Sequence, residues 1–402
     1  MESRLLEPRT VSGRPSGPGG AAQWLRALDQ ALAATGPALL PVPGDALAPA
    51  AVRGMLLESM QPAEPLERSD VALVVPTSGS TGQPKGAMLT AAAIRASASA
   101  THSRLGGAGT WVLALPLTHV AGQMVLARSL DSGTDPFALD LSSGFDPTRF
   151  GELSRNARSA TSGALFTSLV PAQLALVLER GIEVDAYDAI LLGGGAAEAS
   201  LLSAAAEAGA TVVTTYGMSE TCGGCVYDGE PLEGVDLALD QTGRIRISGP
   251  TVFVGYRRRP DLTEAALTEG GFLTADLGRL DAGRLTVLGR ADDVIISGGV
   301  NVPAALVATT LSAHPSVRAC AVVGVGDPIW GQRVVAVVEP AGTAIPTLAE
   351  LRAFAEPLLE PAAVPRGLVL VPALPLLGPG KPDRERIQVL AALAASSHPE
   401  ES

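Results

Sequence analysis

Cysteine is scarce in this chain. Three cysteines in 402 residues cannot make a full disulfide framework, which suits a reducing cytoplasm. Positive charge is also short: 29 Lys and Arg stand against 41 Asp and Glu, a formal net charge of −12. That balance argues against a general nucleic-acid binder, which normally shows a basic face, although a local Lys/Arg pocket could still take ATP or an acidic substrate. Residues 1–8 contain no apolar run of the signal-peptide kind. Two stretches, 105–127 and 159–178, lack charged residues, but Pro116, His119 and Gln123 interrupt the first and Pro171 and Gln173 the second. Buried strands and helices fit them better than membrane spans.

Several familiar motifs are missing too. Lys85 is flanked by Pro84 and Gly86, so the metal-holding hydroxyl of a G-x-x-x-x-G-K-[ST] loop is absent. Neither G-x-G-x-x-G nor the G-x-S-x-G of a serine nucleophile occurs, and no internal repeat is evident. Cys222-x-x-Cys225 has redox or zinc spacing, but only the distant Cys320 remains to complete such a site, so small buried residues are expected there. What remains is 47% hydrophobic and 17% charged, a well-buried globule long enough for two or more domains.

The informative stretch is 71–86. An apolar run, Val71 to Val75, reads as a buried strand, and Thr77 to Gly86 then holds four hydroxyl residues, three glycines and one lysine. Glycines let backbone N–H groups approach an anion, hydroxyls add donors, and Lys85 supplies a compact charge. A phosphate cradle between a strand and a helix is the physical reading. Around it, 1–20 is Pro/Gly/Arg-rich and expected to be poorly ordered at its start. Helices are expected at Ala21–Thr35, Asp45–Glu58 and Thr90–His102, with Thr90 as the N-cap of the last. From Trp111 to Thr215 strand-like and helix-like segments alternate, which implies a parallel α/β core with ligands at the strand C-termini. Arg244–Ser248 and Arg284–Leu288 read as antiparallel strands, and beyond Asp293 lies a compact region with its own strand–helix–strand pattern.

The 77–86 loop resembles the phosphate loop of the acyl-adenylate-forming enzymes: acyl-CoA synthetases, peptide-synthetase adenylation domains and luciferases. The resemblance implies that Thr77, Ser78, Gly79, Ser80, Thr81, Gly82 and Lys85 bind ATP phosphates. Four later stretches match in the order this family uses. Gly193, Gly194 and Gly195 would line the adenine. In Thr215-Tyr216-Gly217-Met218-Ser219-Glu220-Thr221, Tyr216 would stack on adenine with Gly217 beside it, Ser219 would touch the α-phosphate, and Glu220 would help hold Mg²⁺. Asp276 would accept the ribose hydroxyls, Arg290 would contact ribose and phosphate, and Asp292 would be the hinge of a mobile domain. Gly298 and Gly299 would lie beside the pantetheine of coenzyme A, and Lys381 would bridge the substrate carboxylate and the α-phosphate. The implied fold is α/β: a large N-terminal adenylate-forming domain, 1–292, of parallel α/β sheets plus a small β segment, then a small mobile α+β domain, 293–402. Only 76 residues precede Thr77, fewer than in most acyl-CoA synthetases, so the usual first subdomain would be shortened.

The acid is indicated by Leu115-Pro116-Leu117-Thr118-His119-Val120-Ala121-Gly122-Gln123 followed by Arg128. Arg128 interrupts an apolar helix start and needs an anionic partner, from the protein or from a substrate. The His-Val-x-Gly-Gln pattern with this arginine resembles the o-succinylbenzoate–CoA ligases of menaquinone biosynthesis, as do Thr167 to Leu174 and Glu220 to Tyr227. In that family the residue at His119 sits between the acyl pocket and the thiol tunnel, and Arg128 would meet the substrate's second carboxylate. ATP, Mg²⁺, coenzyme A and 2-succinylbenzoate are thus the implied ligands, in a cytoplasmic protein with no nucleic-acid partner and no membrane span. A homo-oligomer is compatible with this reading. The rivals are a CoA ligase for another acid, a catalytically weak adenylate-binding protein, and a domain that loads a separate carrier protein.

Overall fold

The computed structural model describes residues 4–78, 84–342, 344–378 and 381–397. Its first sheet has the order β1 (Leu6–Val11), β2 (Ala38–Pro43), β3 (Val71–Ser78), β4 (Pro84–Thr90). β1, β2 and β3 run parallel and β4 returns antiparallel to β3. The chain runs as a strand from Leu6, where Leu6 and Val11 are buried and the ladder to β2 satisfies the backbone. One expectation is corrected here. The phosphate loop does not lead straight into a helix. Ser78 pairs with Pro84 where β4 runs antiparallel to β3, and helix α3 (Ala91–Arg104) begins only after β4, with Thr90 accepting the Ala93 N–H at 3.0 Å.

Before that, α1 (Ala21–Leu32) buries Trp24, Leu25, Leu28 and Leu32, as their spacing requires. α2 spans Ala50–Met60 rather than Asp45–Glu58. Pro49, extended at its N-cap, keeps the preceding residues out of the helix.

The second sheet contains β5 (Thr110–Leu113), β6 (Phe137–Ala138), β7 (Leu165–Leu169), β8 (Ala189–Leu192), β9 (Val212–Met218), β10 (Gly223–Tyr227) and β11 (Glu230–Pro231). Its order is β11-β10-β9-β8-β7-β5-β6, parallel from β6 through β9 and antiparallel beyond. Helix α4 (Val120–Ser132) follows β5. The third sheet is antiparallel and built from β12 (Asp236–Leu239), β13 (Arg244–Ser248), β14 (Leu267–Thr268), β15 (Gly271–Asp281) and β16 (Arg284–Arg290).

After Asp293 the chain builds a further sheet from β17 (Val294–Ser297), β18 (Val300–Pro303), β19 (Val317–Asp327), β20 (Gly331–Pro340) and β21 (Gly367–Leu370). Helices Ala304–Ser312, Leu348–Ala355 and Arg384–Ser397 accompany it, with a short hairpin β22 (Leu376–Gly378) and β23 (Lys381–Pro382). The two apolar clusters on this sheet begin at Ile295 and include no earlier residue. The result is a mixed α/β protein with parallel sheets.

A strap at 253–257 joins the first two sheets. Phe253 N–H donates to the Glu220 carbonyl at 2.8 Å, Val254 and Gly255 pair with Met88, and Arg257 N–H reaches the Gly86 carbonyl at 2.8 Å. The Arg257 side chain is fully buried and donates to the carbonyls of Met60, Gln61, Glu64 and Pro65 and to the Glu67 carboxylate. Arg257→Ala would remove all five of these hydrogen bonds from a buried site, although Glu67 keeps the Arg258 N–H and the Gln61 carbonyl keeps the Glu64 N–H, so a loss of about 3–5 kcal/mol is expected in a denaturant titration. A change below about 1 kcal/mol would show that the loop at 60–67 closes without it.

Candidate active site

The strap brings together residues from three distant parts of the sequence. Lys85 Nζ donates to the Tyr256 hydroxyl at 2.7 Å, and that hydroxyl donates to Glu220 Oε1 at 2.6 Å. Lys85 Nζ also stands 3.3 Å from Glu220 Oε1 and 4.1 Å from the centre of the Tyr256 ring. Lys85 is thereby aimed from β4 at the short 3-10 turn Ser219–Thr221 that follows β9. Burial, and then the neighbouring Glu220 carboxylate, push the Tyr256 phenol well above its ordinary pKa, so it stays a donor. Tyr256 carries no motif around it in the sequence; its only local signal is an aromatic directly after Gly255.

Glu220 is buried to 6% exposure, and among the described residues no cluster of three or more metal-ligating side chains exists. A single buried carboxylate beside the Gly/Ser/Thr-rich stretch expected to take phosphates fits Mg²⁺, which takes one or two carboxylates and draws its other oxygens from phosphates and water. Thr77 lies opposite Lys85 and its hydroxyl donates to the Lys85 carbonyl at 3.3 Å. Gly79, Ser80, Thr81 and Gly82 lie outside the described residues, as do the side chains of Ser78 and Lys381.

A second cluster joins the last residues of β9, the middle of β15 and the end of β16. The Tyr216 hydroxyl donates to Asp276 Oδ2 at 2.8 Å, and Asp276 Oδ1 is 3.9 Å from Arg290. Arg290 forks onto Asp292 at 2.8 and 2.9 Å, which raises the arginine's pKa and holds the Asp292 carboxyl below its ordinary value. Burial, and then the Asp276 charge, raise the Tyr216 phenol. The Asp276 N–H is fixed by the buried Thr274 hydroxyl at 3.0 Å. Gly193, Gly194 and Gly195 follow β8 directly, one strand over from Tyr216. Gly217 has a structural reason for its size: a Cβ there would come within 2.0 Å of the Gly223 carbonyl on the paired strand β10. Cys222 and Cys225 are buried free thiols, and burial pushes the Cys225 thiol up to about 12.

His119 is the N-cap of α4 and makes no side-chain capping bond. Its ring remains accessible to solvent, yet the protein crowding it lowers its pKa from the ordinary imidazole value, as expected in a cleft. Arg128, two turns further along α4, is 3% exposed. It donates to the Tyr227 hydroxyl at 3.3 Å and its guanidinium lies 5.0 Å from the centre of the Trp111 ring. Its Nε is buried with no partner. Among the described residues no carboxylate comes within ion-pair distance of this arginine.

Beyond the Asp292 turn, Gly298 and Gly299 form the β17–β18 turn, both with positive φ. Gly298 N–H donates to the Trp330 carbonyl at 2.8 Å, and a Cβ on Gly298 would come within 2.9 Å of the Trp330 ring. Trp330 itself stacks under the Arg366 guanidinium at 3.8 Å. Arg384, three residues after Lys381, forms an ion pair with Asp293.

Polar clusters at the end of the parallel strand β9 and on β15 and β16 of the third sheet, with the Lys85–Glu220 pair beside the Gly/Ser/Thr-rich stretch 77–86, are the arrangement of an AMP-binding enzyme. The family model for AMP-binding enzymes matches residues 25–237, and that for the AMP-binding enzyme C-terminal domain matches 307–381. The chain belongs to this family. A Mycobacterium tuberculosis protein named "Probable 2-succinylbenzoate--CoA ligase" is 49% identical over 367 residues, covering 90% of this chain and 93% of that one. A 2-succinylbenzoate–CoA ligase of Geobacillus kaustophilus is 36% identical, covering 78% of this chain and 68% of its own length. Among solved structures, o-succinylbenzoate CoA synthetase from Bacillus subtilis with the acyl-adenylate intermediate has a TM-score of 0.72 and 26% identity, covering 90% of this chain and 81% of that one. An amide bond synthetase from Marinactinospora thermotolerans has a TM-score of 0.74 and 25% identity, covering 96% and 90%.

Proposed function

We propose that the chain is a 2-succinylbenzoate–CoA ligase that forms the acyl-adenylate from ATP and then the thioester. The relatives' names support the reaction, and one observation of this chain carries the substrate. Arg128 is a buried cation with no carboxylate beside it among the described residues, and such a group is stabilised by an anionic ligand. 2-Succinylbenzoate has two carboxylates, one to react and one to recognise.

In the first half-reaction an oxygen of the succinyl carboxylate attacks the α-phosphorus and the bond to the pyrophosphate oxygen breaks. Lys85 and the 77–86 stretch would hold the phosphates, Tyr216 and Gly193 to Gly195 the adenine, Ser219 the α-phosphate, and Asp276 and Arg290 the ribose. Magnesium bound at Glu220 would neutralise charge as pyrophosphate departs. Tyr256 keeps Lys85 and Glu220 together, so that charge is oriented before the nucleotide arrives. Lys381 would bridge the carboxylate and the α-phosphate. In the second half-reaction the coenzyme A thiolate attacks the acyl carbon and AMP leaves. His119 would stand between acid and thiol, and Gly298 and Gly299, with Trp330 behind them, would take the pantetheine. The chain would act as two domains, 1–292 and 293–402, turning about Asp292. The match of a separate C-terminal family model and the separate apolar clusters support that division. The unpaired thiols and the use of ATP and coenzyme A suit the cytoplasm. Among the described residues no helix is long and apolar enough to cross a membrane.

The test is acid-dependent AMP release with 2-succinylbenzoate, benzoate and a medium-chain fatty acid, in wild type and Arg128→Ala. We expect strong preference for the diacid and a KM for it raised by about 30-fold or more in the variant, the cost of truncating one partner of a buried charge pair. Equal turnover of a monocarboxylic acid would leave a CoA ligase of other specificity.

A further inference from the structure

Arg128 is held by uncharged groups only, and the direction of each hydrogen bond can be deduced. Thr101 donates its hydroxyl proton to the Ser97 carbonyl at 2.8 Å. The Tyr227 hydroxyl, 3.0 Å from Thr101 Oγ1, must therefore donate to it, which leaves the phenol oxygen to accept from Arg128. On the other side the indole N–H of Trp111 can only donate, and its partner is His102 Nε2 at 3.2 Å. The proton of His102 accordingly sits on Nδ1, which donates to Asp131 Oδ2 at 2.7 Å. Ser132 Oγ also lies 3.2 Å from Nε2 and accepts the Gly109 N–H at 3.3 Å. Burial lowers the His102 pKa against the pull of Asp131, in keeping with a neutral imidazole.

The consequence is a rigid, neutral seat. Trp111 is fully buried, wedged against Phe166 with ring centres 5.2 Å apart, and presents its face to the guanidinium. An arginine with a single long hydrogen bond would otherwise sample several rotamers, and fixing it costs entropy on ligand binding. A neutral seat also leaves the positive charge uncancelled; the Asp131 carboxylate is taken by His102.

We propose that His102 and Trp111 position the Arg128 guanidinium for the second carboxylate of the acid, His102 acting only through the indole it anchors. This rests on the reading that Arg128 meets the diacid. Neither residue touches substrate, so they are positioning residues, and they should tune the affinity for the diacid without altering the chemistry.

The experiment is steady-state kinetics of the full chain for Trp111→Phe, which keeps an aromatic face and removes the N–H, beside His102→Leu, His102→Gln and Arg128→Ala. Trp111→Phe and His102→Leu should raise the KM for 2-succinylbenzoate by about 5–10-fold, with kcat within about two-fold and the KM for ATP unchanged. His102→Gln, whose carboxamide oxygen can accept the indole N–H, should restore the KM to near wild type. If Arg128→Ala raises the diacid KM while Trp111→Phe does not, the positioning role is overturned and the substrate reading stands. If Arg128→Ala leaves the diacid KM unchanged, both are overturned. A loss of kcat shared by ATP and every acid, with no rescue by His102→Gln, would show a role in folding alone. Should His102→Leu fail to fold, Trp111→Phe decides.

Discussion

Lys381→Ala should reduce acid-dependent exchange of pyrophosphate into ATP by about 10²–10³-fold, the scale of removing one group that stabilises transition-state charge. Adenylation brings a carboxylate oxygen onto a phosphorus already surrounded by anionic oxygens, so one well-placed cation is worth several kcal/mol there. The same group has no such task when a thiolate attacks the acyl carbon. Transfer from preformed acyl-adenylate to coenzyme A should therefore proceed in the variant within a few-fold of wild type, on the order of the modest loss of one remote contact. Equal damage to both halves would mean that Lys381 serves the fold or the nucleotide generally, and the assigned role would be wrong. Arg384, three residues after Lys381, is paired with Asp293 next to the proposed hinge.

Glu220→Gln is the second large effect expected. The carboxamide oxygen can still accept the Tyr256 hydroxyl, so the strap at 253–257 should stay in place. What disappears is the negative charge beside Lys85, 3.3 Å away, and the one buried hard-oxygen anion at the end of β9. Turnover should fall by about 10²-fold, and the Mg²⁺ concentration needed for half-maximal rate should rise. Rates measured across a Mg²⁺ titration check this. An unshifted titration would remove Glu220 from the metal's surroundings, whatever the change in kcat.

The residues proposed for the nucleotide stood out in the sequence because they fall in short runs. Tyr216, Gly217, Ser219 and Glu220 are consecutive or nearly so, and one strand end followed by one tight turn presents them together. The alternation of strands and helices around the second sheet was legible for a similar reason, since a buried parallel strand is a continuous apolar run bounded by turn residues. The hairpin return β4 was not: Pro84 to Thr90 is too mixed to read as a strand, and only its ladder to β3 and its bonds to the strap make it one. The initial strand β1 was missed for the same reason, because Leu6 to Val11 carries Pro8 and Arg9 and is recruited by a ready-made edge on β2.

The sequence by itself determined the family, the order of the binding elements and the identity of nearly every group proposed to touch nucleotide or acid. These depend on local chemistry: hydroxyls and glycines in a turn, an aromatic next to a carboxylate, one arginine in an apolar helix. Only the tertiary structure decided what each charge faces. Tyr256 joins Lys85 to Glu220 across 171 and 36 residues of chain, and Arg128 proves to have Trp111 and Tyr227, not a carboxylate, for neighbours. Such partners come from separate strands and helices brought to one place by packing, and local sequence patterns carry no record of that distance.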